Sequence, residues 1–259
     1  MGMGESMNQE ERLIKIMEYL NEHRTMSLKV MCELFQVSRD TARRDIVKLT
    51  NETTIVRTHG GVALSSFHHK ISDYVNREEK EIEYKVSIGK RAASFVGDNE
   101  VIYLDVSTTV NCMASFLTAS NITVVTNSID TVNHLMNMEN VNIHILGGEL
   151  NKHSRYMTGF SAMEKLKDYH FDKVFIGSPG LTEDGVYYAY EEDIHFKRQI
   201  VKQTNEVFLL ADETKMNQRQ NFKALSLESI DTIITNDVIP GDLERVVKEY
   251  GIELIVGVK

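Results

Sequence analysis

Two groups of residues have the types and spacing to do chemistry. In the first, Ser38, Arg39, Thr41, Arg43, Arg44 and Lys48 follow one another closely. Wound as a helix at about 100° per residue, Ala42, Ile46 and Leu49 share one side and Arg44 points away from it, flanked by Thr41, Arg43 and Lys48. The outer face then offers cations and a hydroxyl, the inventory that meets phosphate oxygens and guanine edges. Ser38 is placed to cap that helix, with Val37 just before it. In the second group, Asp105-Val106-Ser107-Thr108-Thr109 leads from an apolar run into a predicted helix reaching about Leu117. Its hydroxyls and unpaired N–H groups suit a phosphate. Asp212-Glu213-Thr214-Lys215 adds a cation, with Asp212 placed to take sugar hydroxyls or to orient the lysine. Taken alone, each group also reads blandly: a solvated helix face, an ordinary Ser/Thr cap, a surface lysine.

The elements that must position the first group are legible around it. Leu13, Ile14, Ile16, Met17 and Leu20 repeat with helical spacing, and Val30, Met31, Leu34 and Phe35 do so again after a break at Arg24-Thr25-Met26. Only Phe35-Gln36-Val37 separates this short helix from the Ser38 helix, a link that forces a steep crossing: a helix-turn-helix. Downstream, Ile55 to Leu64 reads as two short strands turning near Gly60-Gly61, a wing that places Arg57 and His59 near its tip.

The second group sits in a different pattern. After Gly97, β-branched apolar runs alternate with amphipathic helices: Val101 to Val106, Ile122 to Thr126, Val141 to Leu146, Lys173 to Ile176, Glu206 to Leu210, Thr232 to Ile234 and Ile252 to Val256. This alternation predicts a mainly parallel sheet covered by helices on both faces. The runs end in Asp105, Asn127-Ser128, Gly147-Gly148-Glu149, Gly177-Ser178-Pro179-Gly180, Asp212 and Asn236-Asp237. Small and polar residues thus collect at the carboxyl ends of the strands, where open parallel sheets bind ligands.

Composition bounds the function. A chain of 259 residues, 42% apolar and 26% charged, has room for two domains. Residues 1–64 carry nine Lys/Arg against nine Asp/Glu, and the remainder carries 20 against 29, so the formal charge of −9 lies wholly after the wing. Such a chain is no general polyanion binder, and its cations must be concentrated on one face. No apolar run approaches the roughly 18 residues that cross a bilayer. Cys32 and Cys112 stand alone, and the histidines show no metal-ligand spacing, so no disulfide, metal or cofactor is expected and a reducing cytoplasm fits. The expected division is a flexible start over 1–8, a winged helix-turn-helix over 9–64, a polar linker over 65–85 and an α/β domain over 86–259.

Both halves resemble the DeoR family of bacterial transcriptional regulators. The N-terminal resemblance is carried by Glu33-Leu34-Phe35-Gln36-Val37-Ser38, Thr41, Arg43-Arg44-Asp45, Leu49 and Arg57-Thr58-His59-Gly60-Gly61. Thr50 to Thr54 replace the Glu and Gly usual before the family's wing, and Asn51 is the candidate for the turn. The C-terminal resemblance is carried by Leu104-Asp105, Ser107-Thr108-Thr109, Val124 to Ser128, Leu146 to Leu150, Gly159, Phe175 to Gly177, Gly185, Lys197-Arg198, and Leu210 to Asp212 with Lys215. It implies a sensor similar in fold to pentose-phosphate isomerases. It also implies repression of a carbohydrate-utilisation operon at a double-stranded DNA operator, relieved by a phosphorylated sugar or related metabolite, and a homo-oligomer with no membrane partner. On this reading Ser38, Arg39, Thr41, Arg43, Arg44, Lys48, Arg57 and His59 meet DNA. Asp105, Ser107, Thr108, Thr109, Asn127, Gly147, Gly148, Asp212 and Lys215 form the effector site. Ser107 stands where the family usually has glycine, and Asp193 where it often has glutamate. Tyr187, Tyr188 and Tyr190 either line the pocket or pack beneath a loop. The competing class is a sugar-phosphate isomerase with an accessory domain. It lacks the needed base: Gly177-Ser178-Pro179-Gly180 holds no carboxylate.

Overall fold

The computed structural model describes residues 7–23, 25–50, 55–58, 61–64, 81–152 and 154–257, in two compact units divided between Asp73 and Tyr74. The first six residues, the Asn51 turn, His59 and residues 65–80 of the expected linker lie outside the described residues.

In the first unit, α1 (Gln9–His23), α2 (Leu28–Phe35) and α3 (Arg39–Thr50) enclose an apolar centre against a small antiparallel sheet. The sheet runs β1 (Thr25–Ser27), β3 (Gly61–Leu64), β2 (Ile55–Thr58). At the break expected at Arg24-Thr25-Met26, Thr25 and Met26 belong to a strand, paired through Met26 with Val62, and Arg24 lies outside the described residues. Gly61 permits that pairing, because a Cβ there would stand 2.1 Å from the Met26 carbonyl oxygen. Gln36 takes a left-handed conformation and its N–H bonds to the Cys32 carbonyl, closing α2 and setting the tight turn. Ser38 Oγ accepts from the Thr41 N–H at 3.2 Å, capping α3. The buried stripe of α3 is Ala42, Ile46 and Leu49, joined by the charged Asp45. Asp45 is held by Arg12 (Nε to Oδ2, 2.7 Å; Nη2 to Oδ1, 3.1 Å) and by Gln9 (2.9 Å), and Arg12 also donates to the Met7 carbonyl. The Arg12 pKa is raised above its ordinary value, chiefly by the hydrogen bond to Asp45. This clamp ties α1 to α3.

Among the described residues, the first helix of the second unit is α4 (Ile82–Ala93). The unit continues with β4 (Val101–Leu104), α5 (Thr108–Ala114), β5 (Ile122–Thr126), α6 (Ile129–Leu135), β6 (Val141–Ile145) and a hairpin of β7 (Glu149–Asn151) and β8 (Tyr156–Thr158). Then follow α7 (Phe160–Leu166), β9 (Phe171–Gly177), β10 (Gly180–Thr182), β11 (Gly185–Tyr188), α8 (Glu191–Val201) and β12 (Thr204–Leu210). The chain closes with β13 (Phe222–Leu225), β14 (Thr232–Thr235), α9 (Gly241–Glu249) and β15 (Glu253–Val256). The main sheet has seven strands in the order β15-β14-β12-β9-β4-β5-β6, and every neighbouring pair is parallel. Strand residues alternate between two apolar clusters, as the two-residue period requires. Ile102, Leu104, Val124, Phe175 and Phe208 face Ile88, Ala92, Val110 and Met113 of α4 and α5. Tyr103, Val125, Val174, Ile176 and Leu209 face the cluster containing Leu166, Phe196, Ile200 and Leu243 of α7, α8 and α9. Burial on both faces explains why these strands read as continuous apolar runs. From β4 the chain adds strands to one side and from β9 to the other, so the carboxyl ends of β4 and β9 flank the topological switch point.

Asp45→Ala leaves the Arg12 guanidinium buried without its partner and is expected to destabilise the first unit by about 3–5 kcal/mol in urea unfolding. Arg44→Ala, on the exposed face, is expected to stay within about 0.5 kcal/mol of wild type. Equal effects of the two changes would contradict the clamp.

Candidate functional site

Arg39, Arg43, Arg44 and Lys48 all lie exposed on α3, on the side away from its buried stripe. Arg43 has an exposed partner in Asp40 at 3.5 Å, a surface pair weak enough to give way to a phosphate. Thr41 is half-buried and its hydroxyl lies 3.0 Å from that of Ser38, so these two shape the start of the helix. Arg57 is exposed on β2. The structure therefore presents the predicted cations as one solvent-facing surface on a rigid helix, with Arg57 on the wing.

At the switch point of the second unit the sheet holds a buried ion pair. Asp105, directly after β4, accepts through Oδ1 from Lys197 Nζ of α8 and through Oδ2 from the Gly177 N–H at the end of β9 (3.2 Å). Both side chains are under a tenth exposed. Lys197 Nζ also lies 5.2 Å from the centre of the Tyr188 ring, and the Tyr188 hydroxyl donates to the Gly177 carbonyl at 2.7 Å. Ser107 folds into the same corner. Its Oγ caps α5, accepting from the N–H groups of Thr109 (3.2 Å) and Val110 (3.5 Å). A Cβ on Gly177 would lie 2.1 Å from that oxygen. The serine thus caps its own helix, and the adjacent glycine makes room for it.

The remaining predicted residues line the same edge of the sheet. Thr108 and Thr109 are buried in the first turn of α5. Asn127, ending β5, accepts from the Tyr103 hydroxyl at 2.7 Å and donates to the Met157 carbonyl at 2.9 Å, which fastens the β7–β8 hairpin over the strand ends. Gly147 and Gly148 are exposed beyond β6. Asp212, ending β12, accepts through Oδ1 from the Thr214 N–H (3.0 Å) and hydroxyl, and Lys215 Nζ stands 3.4 Å away. Asp212 Oδ2 is enclosed and has no hydrogen-bond partner among the described residues, an acceptor that a ligand hydroxyl or a water would satisfy. No hydrogen bond or ion pair among the described residues links Asp212 or Lys215 to Asp105, Ser107 or Lys197. The predicted residues therefore form a rim, with two carboxylate–lysine pairs along it.

Lys197 is the site residue that the sequence reading left out of its set. Its signal was the Asp193–Lys197 spacing, one helical turn apart beside a run of tyrosines. The tyrosines divide: Tyr188 is buried against Lys197, Tyr187 bonds to Asp184 at 2.7 Å, and Tyr190 is half exposed. Burial pushes the Tyr103 and Tyr188 hydroxyls well above their ordinary range, with Asp105 adding to the effect, so both remain donors. The Asp193 carboxyl is raised by burial, an effect that Lys197 opposes and Asp105 reinforces.

A basic recognition helix in a winged helix-turn-helix, carried on one chain with a parallel α/β unit whose polar rim lies at the switch point, defines a ligand-responsive DNA-binding regulator. The DeoR-like helix-turn-helix domain matches residues 12–67 and the DeoR C-terminal sensor domain matches residues 80–237, and the chain belongs to the DeoR family of transcriptional regulators. It is 41% identical over 250 residues to the HTH-type transcriptional repressor GlcR of Bacillus subtilis, covering 96% of this chain and 97% of that protein. It is 27% identical over 250 residues to the glycerol-3-phosphate regulon repressor of Escherichia coli, covering 96% and 99%. Among solved structures, ribose 5-phosphate isomerase A of Methanocaldococcus jannaschii superposes over 52% of this chain and 55% of that one, at 18% identity and a TM-score of 0.38. That likeness is too partial to bear on activity.

Gly177→Ala is expected to drive Ser107 from its cap and lower the melting temperature, while the same change in a Ser107→Gly background should cost markedly less. Equal costs in the two backgrounds would refute the contact. Asp193 titrates higher folded than unfolded, so its ionisation opposes folding once pH passes the unfolded value of about 3.9. Asp193→Asn should therefore stabilise the protein at pH 7, with the gain fading as pH falls toward that value. A gain independent of pH would contradict the assignment.

Proposed function

We propose that this protein represses a carbohydrate-utilisation operon from the cytoplasm, as a homo-oligomer, and that a phosphorylated sugar or related metabolite bound along the switch-point rim lifts repression. The observation that carries the effector reading is the rim itself. Lys197 is fixed by Asp105 beneath Ser107 and Gly177, and an unpartnered buried acceptor stands at Asp212 beside Lys215. Hydroxyls and amides of Ser107, Thr108, Thr109, Asn127, Gly147 and Gly148 complete the set. Asp212 receives sugar hydroxyls and Lys215, partly exposed, meets the phosphate. The relatives support the same direction, since one is named as a repressor and another as repressor of a glycerol-3-phosphate regulon.

For DNA, Arg39, Arg43, Arg44, Lys48 and Arg57 contact phosphates and base edges, Ser38 and Thr41 set the helix entry, and His59 joins them from the wing. Half-sites in an operator require at least two recognition helices, which is why an oligomer is expected. An isomerase reading has less support, because Asp105 is neutralised by Lys197 and the loop after β9 offers no free base.

The test is a thermal-shift panel of sugar phosphates, free sugars and inorganic phosphate, followed by operator binding. A ligand at 100 times its Kd should add about 2.7 kcal/mol to the stability of its domain. Arg44→Ala is expected to weaken operator binding by roughly 5- to 150-fold, the equivalent of about 1–3 kcal/mol, while leaving the sugar-phosphate shift intact. Lys215→Ala should do the reverse. Loss of both responses in either variant would contradict separate sites, and a shift with free sugars alone would exclude a phosphorylated effector.

A further inference from the structure

A cavity of about 620 Å³ lies between the end of α8 and β13 with the turn that follows it. Its volume falls within the range of small-molecule sites, roughly 300–1,000 Å³. Arg198, Lys202 and Lys223 line it together with the hydroxyls of Ser226 and Ser229, and no carboxylate is among its lining residues. The unit around it is acidic, with 19 Lys/Arg against 28 Asp/Glu from Tyr74 onward, so a lining whose charges are all positive runs against the composition. Arg198 is held in place by main chain: Nε donates to the Ala224 carbonyl at 2.9 Å and Nη2 to the Lys223 carbonyl at 3.3 Å. This fixes the guanidinium without neutralising it and leaves part of its five-donor fork unused. Among the described residues neither Arg198 nor Lys202 has a carboxylate within 4.0 Å, and Lys223 has Asp184 at that limit. Val201 and Leu225 supply an apolar wall.

We propose that this cleft is an anion site, separate from the switch-point rim, that takes a small organic phosphate: the dianion on Arg198, Lys202 and Lys223, the seryl hydroxyls donating at its edge, and the carbon skeleton on Val201 and Leu225. The cleft is well placed to bias the rim. Helix α8 carries Lys197 on its buried side and Arg198 on the next, and β13 pairs with β11, whose Tyr188 hydroxyl holds the Gly177 carbonyl. An anion that tightens α8 against β13 therefore stiffens the elements that hold the Asp105–Lys197 corner. Binding in the cleft does not depend on the effector reading of the rim.

The experiment is isothermal titration of the full chain at fixed ionic strength with inorganic phosphate and with phenyl phosphate, which adds an apolar body. Phenyl phosphate should bind more tightly than phosphate, and a binding site should remain in Lys215→Ala. The pair Lys202→Ala/Lys223→Ala, which spares the Arg198 fork, should weaken binding roughly 10-fold or more, in line with lost charge-assisted hydrogen bonds. Lys202→Arg/Lys223→Arg should restore it. Binding that survives the alanine pair but disappears in Lys215→Ala would assign the anion to the rim and overturn the proposal, as would no heat in the wild type at millimolar phosphate. Sugar-phosphate release from operator DNA, measured separately in Lys215→Ala, reports on the rim alone.

Discussion

The second unit is organised around one buried charge pair, Asp105 with Lys197. Taking both groups out of water costs several kcal/mol per ion, which the mutual hydrogen bond and the contacts around the pair must offset. The Gly177 N–H supplies one of these and the Tyr188 ring faces the ammonium. Satisfying that pair fixes three elements at once, the end of β4, the end of β9 and the buried side of α8, and these are the walls of the switch point. The same corner dictates smaller choices. Gly177 must lack a side chain because Ser107 fills its space, and Ser107 is there because it caps α5.

The first unit solves its own positioning problem with the same device. Arg12 and Asp45 form a buried pair that anchors α3 from its inner side, while Arg39, Arg43, Arg44 and Lys48 stand exposed on its outer side. Rigidity is bought inside and charge is displayed outside. In both units a buried carboxylate, held by a cation from a distant part of the chain, fixes where the neighbouring elements stand.

Much of this was readable before any coordinates. The α3 stripe, its Ser38 cap and the parallel runs follow from local periodicity, and the strand ends mark the rim because small and polar residues gather there. The rest depends on partners far away in sequence. Asp45 looks like a solvated acid within Arg43-Arg44-Asp45 until Arg12, 33 positions earlier, is brought to it. Lys197 looks like a surface lysine until it meets Asp105, 92 positions away. The strands β1, β7, β8 and β10 span three residues each, too short for an alternating pattern to register. Helix α5 ends at Ala114 rather than near Leu117, because helix ends are set by packing as much as by propensity. Whether Ser107 caps its own helix or leaves that cap to a phosphate is a question of one oxygen's position, which spacing does not encode.

The most direct test of the central claim is hydrogen–deuterium exchange of the intact protein with and without the sugar phosphate that releases it from operator DNA. The account predicts ligand-induced protection at Asp105 to Val110, at Gly177 to Tyr188 and along the first half of α8, because these segments share the Asp105–Lys197 corner. Protection confined to other segments, with these three unchanged, would show that the Asp105–Lys197 corner does not respond to the effector and that the buried pair serves the fold alone.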